Sequence, residues 1–559
     1  MTGVPAAASP FTSALPESIM ARSTDATSQT YDVIVVGGGS AGCLVAGRLA
    51  SETDAKVLLL EYGGRDITPL IHIPSGFSKL LQYSRFLYPY KTVPQQQLGG
   101  RQVALQQGWG LGGGSSINAM AYVRGQPRDY DSWQAAVGDT GQWSFDDLLP
   151  HFVGMEGNDI FAEPLHGTSG PLKVSQPQRL SPMNQAVIKA FQEAGLPYNA
   201  DYNGVEQRGV GPCQLTIGNA RRCSSAVAFL HPAKNRPNLT VMTDALVTRV
   251  ILEGDRAVGV EFVHDGTPRR ALGAEIVLSA GALNTPRLLM LSGIGPEDEL
   301  ARHGISVEVS APDVGRHLQD HPQVPVIARS HTELGYAKNA YGLGMLEAGI
   351  RYITTRSGPA ASNGVESVSY FNPDDPEGEP TIQCFHAPVI ANAALGAPDR
   401  HPGLTLENVV LQPKSRGQVT LADADPRSDP LIDPNYFGDP EDMRRMIGGL
   451  RFAREVLKSP ALRDVLEPEM LPGLDVQSDE GLAEHARNTL TCMWHPVGTC
   501  RMGADEGAVV DACLRVRGVR GLRVIDASIM PNIVSGNTNA TTMAIASKGL
   551  ELLRADMAA

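Results

Sequence analysis

No CxxC pair occurs among the seven cysteines, and Cys43, Cys213, Cys223, Cys384, Cys492, Cys500 and Cys513 are too scattered for a disulfide framework or a structural zinc. That usage fits a reducing compartment, so the expected location is the cytoplasm. Nor is there a window of 18 apolar residues, which excludes an integral membrane helix. The first 30 residues, rich in Ala, Ser, Thr and Pro, lack the unbroken apolar core of a secretory signal, and 1–30 reads as a flexible leader. Positive charge is in deficit as well. With 47 Lys and Arg against 60 Asp and Glu, the formal charge of −13 repels phosphate backbones and argues against a nucleic-acid partner. Fixed-period repeats and heptads are missing, which excludes solenoids and coiled coils. HExxH and EF-hand loops are also missing, and no metal is expected.

What remains is a chain of 559 residues with 42% hydrophobic content, enough for a large core and longer than most single domains. Its 59 Gly and 40 Pro imply many tight turns, which suits a large α/β or α+β protein.

Organised structure is expected from residue 31. Residues 31–36 (YDVIVV) are short, apolar and β-branched, as in a buried parallel strand. A glycine turn (37–42, GGGSAG) and a small-residue helix to about Ala50 follow, then a strand at 56–60 ending at Glu61. Gly37 and Gly39 permit a tight turn and the close approach of a pyrophosphate, and Gly42 lets the helix pack on the sheet. Free N–H groups at the helix start would hold phosphate. Glu61, 24 residues beyond Gly37, stands where a carboxylate accepts both hydroxyls of an adenosine ribose and disfavours a 2′-phosphate. The letters at 38–42 also satisfy GxSxG, but the acid at the second strand tip favours the dinucleotide reading over a hydrolase elbow.

A second glycine loop spans 108–118 (GWGLGGGSSIN), exposing backbone donors and leaving room for a flat ligand. Three further stretches stand out: 281–295 (GALNTPRLLMLSGIG), 314–321 (VGRHLQDH) and 494–503 (WHPVGTCRMG). In this order they resemble the glucose–methanol–choline flavoproteins, over about residues 31–550. The resemblance implies an α/β plus α+β architecture: a Rossmann-like FAD domain with an inserted substrate domain on a mainly antiparallel sheet. The expected borders are 31–160, 205–320 and 490–555 for the FAD domain, and 161–204 and 321–489 for the substrate domain. It further implies that Gly112, Gly113, Ser115 and Asn118 lie along the flavin, that the Val247 backbone meets the adenine, and that Asp526 and Asn537 contact the cofactor. Some members bind FAD covalently through a histidine just before the asparagine; here Ile117 holds that position, so FAD is expected to be non-covalent.

Flavin-dependent alcohol oxidation needs a base at the hydroxyl proton and a C–H bond aimed at flavin N5. Thirteen histidines leave that choice open on chemistry alone. The resemblance selects His495 and pairs it with Asn539, whose amide would donate to the substrate oxygen. Residue chemistry does not separate Asn539 from Asn537. Trp494 and the aromatic run at 86–90 suggest an aromatic or furanic primary alcohol, as in members acting on aryl alcohols and hydroxymethylfurfural. Oxygen is the expected acceptor; the alternatives are a choline-like, aliphatic or polyol dehydrogenase using a quinone-like acceptor, or an FAD-containing lyase.

Overall fold

A computed structural model describes residues 30–81, 85–391 and 399–558. The expected leader lies outside these residues except for Thr30, which already belongs to the first strand, Thr30–Val36.

That strand is central in a sheet with the order Leu239–Met242, Val57–Leu60, Thr30–Val36, Thr267–Leu278, all parallel. The long strand Thr267–Leu278 is used twice along its length. Its first half pairs antiparallel with the hairpin partner Arg256–His264, backed by Ala245–Glu253; its second half takes Leu522–Val524 as a parallel neighbour. The parallel strands read as unbroken apolar runs because both faces are covered. Val33, Ile34 and Val35 are fully buried, each contributing about 1.5–3 kcal/mol of transfer free energy. The helices Ser40–Glu52 and Thr538–Ala558 pack on each other beside this sheet.

A second, antiparallel sheet has the order Leu466–Leu471, Pro322–Ser330, Gly403–Val410, Ile382–Ala387, Ser367–Phe371, Gly209–Pro212. Its alternation follows the two-residue period of a strand. Val324, Val326, Leu404, Leu406 and Ile382 join the core under the helices Pro182–Glu193 and Pro440–Leu457. The other face carries His321, Gln323, Gln383, Phe385, Glu407 and Val409. The strand Gly209–Pro212, which the expected border at 205 assigns to the FAD domain, belongs to this second sheet, as does Thr491–Cys492. A strand of four residues with two glycines carries little pattern of its own.

Candidate active site

Four parallel strands end on the same edge, and the residues just past them, Gly37, Glu61, Ser279 and Ile525-Asp526, form a crevice at the carboxyl ends, where open α/β sheets bind ligands. Gly37 has φ +101° and lies so close to the next strand that a Cβ would sit 2.4 Å from the Ser279 oxygen. A Cβ on Gly42 would lie 1.8 Å from the Gly37 oxygen, so only glycine lets the helix start here. At Gly39, by contrast, an added Cβ would meet only the Ser279 oxygen at 3.9 Å. Open space therefore faces an N-cap without a side-chain bond and a first turn without acid, as a pyrophosphate requires.

Glu61 braces this turn. Its Oε2 accepts from Gly38 N and its Oε1 from Gly63 N, both at 2.7 Å. Burial pushes the carboxyl pKa up, and the two N–H groups oppose that. The backbone N–H of Ala245 donates to the main-chain carbonyl of Glu61 at 2.9 Å, which brings the strand holding Val247 beside the same strand tip. Each carboxylate oxygen keeps a lone pair beyond its backbone bond. Glu61→Gln turns one of these acceptors into a donor facing an N–H. It is expected to raise the FAD dissociation constant about 10-fold, read by fluorescence titration of apoprotein.

The second glycine loop lies against the first: Gly112 N donates to Gly38 O at 2.7 Å, and a Cβ on Gly113 would be 2.8 Å from Gly39 Cα. Ser115 closes the loop, its hydroxyl donating to Gly112 O at 2.6 Å and accepting from Ser225 N at 2.9 Å. Asn118 Oδ1 accepts from Met120 N and from Arg222 Nη1, at 3.0 and 2.7 Å. Sequence reasoning missed Arg222. It is buried, its Nη2 has no partner, and no carboxylate bonds it; burial pulls its pKa down to about 9. It clamps Ile71 O, Ser115 O and Asn118 into one unit. Ile117 packs with Ile71, Leu80 and Leu87, an apolar setting with no nucleophile for a flavin bond. Asp526 accepts from Gly281 N, Thr285 Oγ1, Ser528 N and Ser528 Oγ, and so joins two helix starts at the crevice. These residues fit a dinucleotide and a flat ring.

The loop bearing His495 is laid on the segment ending at His321. Val497 and Gln319 exchange backbone bonds, Met493 N donates to His321 O, and His495 N donates to Asp320 Oδ1 at 2.8 Å. Trp494 between them has φ +57°, a turn into the left-handed region that a bulky residue adopts only when its surroundings impose it. Asp320 also accepts from His321 N and Tyr436 OH.

This frame brings His321 Nδ1 to 3.0 Å from His495 Nδ1. His321 Nε2 lies 2.9 Å from the Leu411 carbonyl, which only accepts, so Nε2 carries the hydrogen. Burial pushes the His321 pKa down to about 4, so the ring is neutral and its Nδ1 is an acceptor. The hydrogen between the rings therefore sits on His495 Nδ1, leaving His495 Nε2 with a free lone pair. Burial, and then the neighbouring His321, lowers the His495 pKa well below the ordinary imidazole value.

Asn537, not Asn539, stands at that lone pair. Asn537 Nδ2 is 3.4 Å from His495 Nε2, and its Oδ1 accepts from Gln383 Nε2 at 3.3 Å. Asn539 Oδ1 accepts from Ser40 Oγ at 2.9 Å, tying the C-terminal helix to the glycine-turn helix. The amide beside His495 is thus that of Asn537, while Asn539 is bonded to Ser40 at the start of the glycine-turn helix. Trp494 is bonded through Nε1 to Ala104 O and packs on the second core with Tyr88. Tyr88 and Tyr90 belong to an aromatic cluster with Tyr62 and Trp109, bonded to Asp429 and Asn284. Leu411 and Met493, whose backbones bond His321, belong to an apolar cluster with Val368 and Phe385, against which Val365 and Phe77 pack.

The start of the helix Thr538–Ala558 thus ties the dinucleotide crevice, through Asn539, to the imidazole pair, through Asn537, an arrangement that fits a flavin-dependent oxidoreductase. The family descriptions of GMC oxidoreductase match residues 31–323 and 413–546, and the chain belongs to that family. It is 41% identical over 541 residues to an "Alcohol dehydrogenase [acceptor]" of Pseudomonas putida, covering 94% of this chain and 97% of the relative. An "Oxygen-dependent choline dehydrogenase" of Brucella anthropi is 37% identical over 521 residues, covering 92% and 94%. Pyridoxine 4-oxidase from "Mesorbium loti" superposes with TM-score 0.86 at 33% identity, covering 94% and 99%. The protein is an FAD-dependent oxidoreductase acting on CH–OH groups, and it binds FAD non-covalently.

Proposed function

We propose that this enzyme oxidises a primary alcohol with an aromatic or furanic body to the aldehyde, using His495 as base and Asn537 as hydrogen-bond donor. The carrying observation is the His495 ring, whose free Nε2 is set by its bond to His321 and faces the Asn537 amide. An alcohol oxygen between them gives its proton to Nε2 and accepts from Nδ2. Charge building on that oxygen is held while the adjacent carbon loses hydride. FAD supplies the hydride acceptor when bound. An apolar ring is supported by the apolar cluster to which Leu411 and Met493, the backbone partners of His321, belong.

A second reading, a cationic alcohol of the choline type, is favoured by Glu407 on the same sheet face. Its Oε2 has no partner, and burial pushes its pKa up to about 7. The name of the Brucella relative supports it too, and also supports oxygen as the acceptor, whereas that of the Pseudomonas relative favours another acceptor. Anaerobic stopped-flow with benzyl alcohol and choline, followed by admission of oxygen or a quinone dye, tests all of these. Faster flavin bleaching by benzyl alcohol is expected; bleaching by choline alone would replace the first reading by the second.

His321 is a positioning residue in this scheme. His321→Leu removes the acceptor of the His495 Nδ1 hydrogen and is expected to slow flavin reduction about 10-fold, with His321→Gln recovering most of it through its amide oxygen. The pH profile follows with its sign. The base must be neutral, and a lowered folded-state pKa keeps it neutral further into acid. The acid limb of the reduction rate should therefore lie below pH 6.5; a limb at or above that value refutes the arrangement.

A further inference from the structure

The helix Gly342–Thr355 is amphipathic in the wrong sense for a core element. The face toward the protein buries only Ala348 and Tyr352, with the Tyr352 hydroxyl donating to Ala220 O at 2.9 Å. The face toward solvent carries Leu343, Leu346, Ile350 and Ile353, exposed to 84%, 59%, 55% and 75%. Spacings of three, four and three put all four on one stripe. Single exposed leucines need no explanation, but four branched aliphatics along one helix leave a contiguous apolar surface in water, and such surfaces mark interaction sites.

The surroundings of the stripe point to its partner. Lys338, Arg351 and Arg356 are exposed beside it. Lys79 and Arg400 lie over the Tyr341 ring at 5.6 and 4.9 Å, and Arg356 over the Tyr352 ring at 4.9 Å. Of the nearby acids, Glu333 is bonded to the backbone of Gly335 and Lys338, and Glu347 is exposed on the helix. Five cations gather here on a chain whose net charge is −13. An aliphatic stripe flanked by Lys, Arg and Tyr has the composition of a helix that lies in a bilayer interface, with apolar side chains among acyl chains and cations at anionic headgroups. A helix of 14 residues is about 21 Å long and presents a footprint of about 200 Å². Among the described residues no helix is long and apolar enough to cross a membrane, so the contact would lie on the surface.

We propose that Gly342–Thr355 docks this enzyme on anionic lipid, apolar stripe inward. The opposite, protein-facing side of this helix leads toward the site. Tyr352 packs with Ala220, Ile73, Ala360 and Ala361, and just beyond, Asn363 Nδ2 donates to Ala119 O at 2.6 Å, next to Asn118. The helix thus packs against the segments that lead to Phe77 and Val365, which rest on the apolar cluster containing Leu411. This inference stands apart from the identity of the alcohol.

The test is co-sedimentation of the full-length, FAD-loaded protein with vesicles of phosphatidylcholine alone or mixed with phosphatidylglycerol. The wild type should sediment with the mixed vesicles and be released by high salt. Leu346→Glu/Ile350→Glu should weaken that partition at least 10-fold, and Arg351→Glu/Arg356→Glu should do so to a similar degree. Both variants should keep their flavin absorbance and their rate with a water-soluble alcohol and a dye acceptor. Absence of binding to the mixed vesicles overturns the proposal. So does a wild-type dimer in light scattering that Leu346→Glu/Ile350→Glu converts to monomer, because the stripe would then belong to a second copy.

Discussion

His495→Ala is expected to retain FAD and to slow flavin reduction by an alcohol about 10²–10⁴-fold, the usual contribution of a positioned general base. The separation of the two readouts follows from where the residue is held. His495 is fixed by Asp320, His321 and the pairing of Val497 with Gln319, none of which belongs to the glycine cradle. Truncating the ring leaves Gly37, Gly42, Glu61 and the loop at 112–118 untouched, so flavin content and its visible spectrum should be those of the wild type. The loss should fall on the reduction rate in single-turnover stopped-flow and leave the reaction of reduced enzyme with its acceptor largely alone. Recovery at high pH would support the assignment, because hydroxide replaces the missing base. Reduction at the wild-type rate would remove His495 from the chemistry and require another base at the Asn537 amide.

The parts of this site that are legible in the amino-acid sequence are those whose geometry is local. The turn at Gly37, the helix start at Gly42 and the acid at the tip of the second strand all fall within 25 residues, and strand and helix periods carry them directly. Glu61 is at the tip of the second strand, where the spacing puts it, and the structure adds a duty: its carboxylate joins the glycine turn at Gly38 to the backbone at Gly63 just past its own strand. His321 and Gln383 are a different case. They meet His495 and Asn537 across separations of 174 and 154 residues, through a sheet whose register no local pattern encodes. His321 does end a motif visible in the sequence, but the motif alone does not say that its ring selects the tautomer of another histidine. Arg222 is illegible for a related reason: a buried cation without an acid looks like any surface arginine until the chain is folded around it. In the aromatic run at 86–90, the folded chain adds what the letters do not carry: the hydroxyls of Tyr88 and Tyr90 are bonded to Asp429 and Asn284, far away in the sequence.

Asn537→Ala and Asn539→Ala should fail in different ways, and the contrast decides between two residues that sequence chemistry leaves equivalent. Both precede or open the helix Thr538–Ala558, and both carry an amide that donates and accepts. They are two positions apart at a helix start, where a step of two carries a side chain roughly halfway round the axis. Asn537 therefore reaches His495 and Gln383, and Asn539 reaches Ser40. Loss of the Asn537 amide removes a donor aimed at the oxygen on which charge develops, a change that elsewhere costs about 10²–10³ in the chemical step. FAD affinity should hold. Loss of the Asn539 amide frees the Ser40 hydroxyl beside the phosphate-facing helix start and loosens the packing of two helices. It is expected to cost about 1 kcal/mol and to weaken FAD binding roughly 5-fold, with flavin reduction in the FAD-saturated enzyme close to wild type. Stopped-flow reduction and flavin titration of both variants read the two outcomes separately. If Asn539→Ala instead slows reduction 10²-fold and Asn537→Ala does not, the side chains exchange places on substrate binding, and the order of the helix start shown here is not the catalytic one.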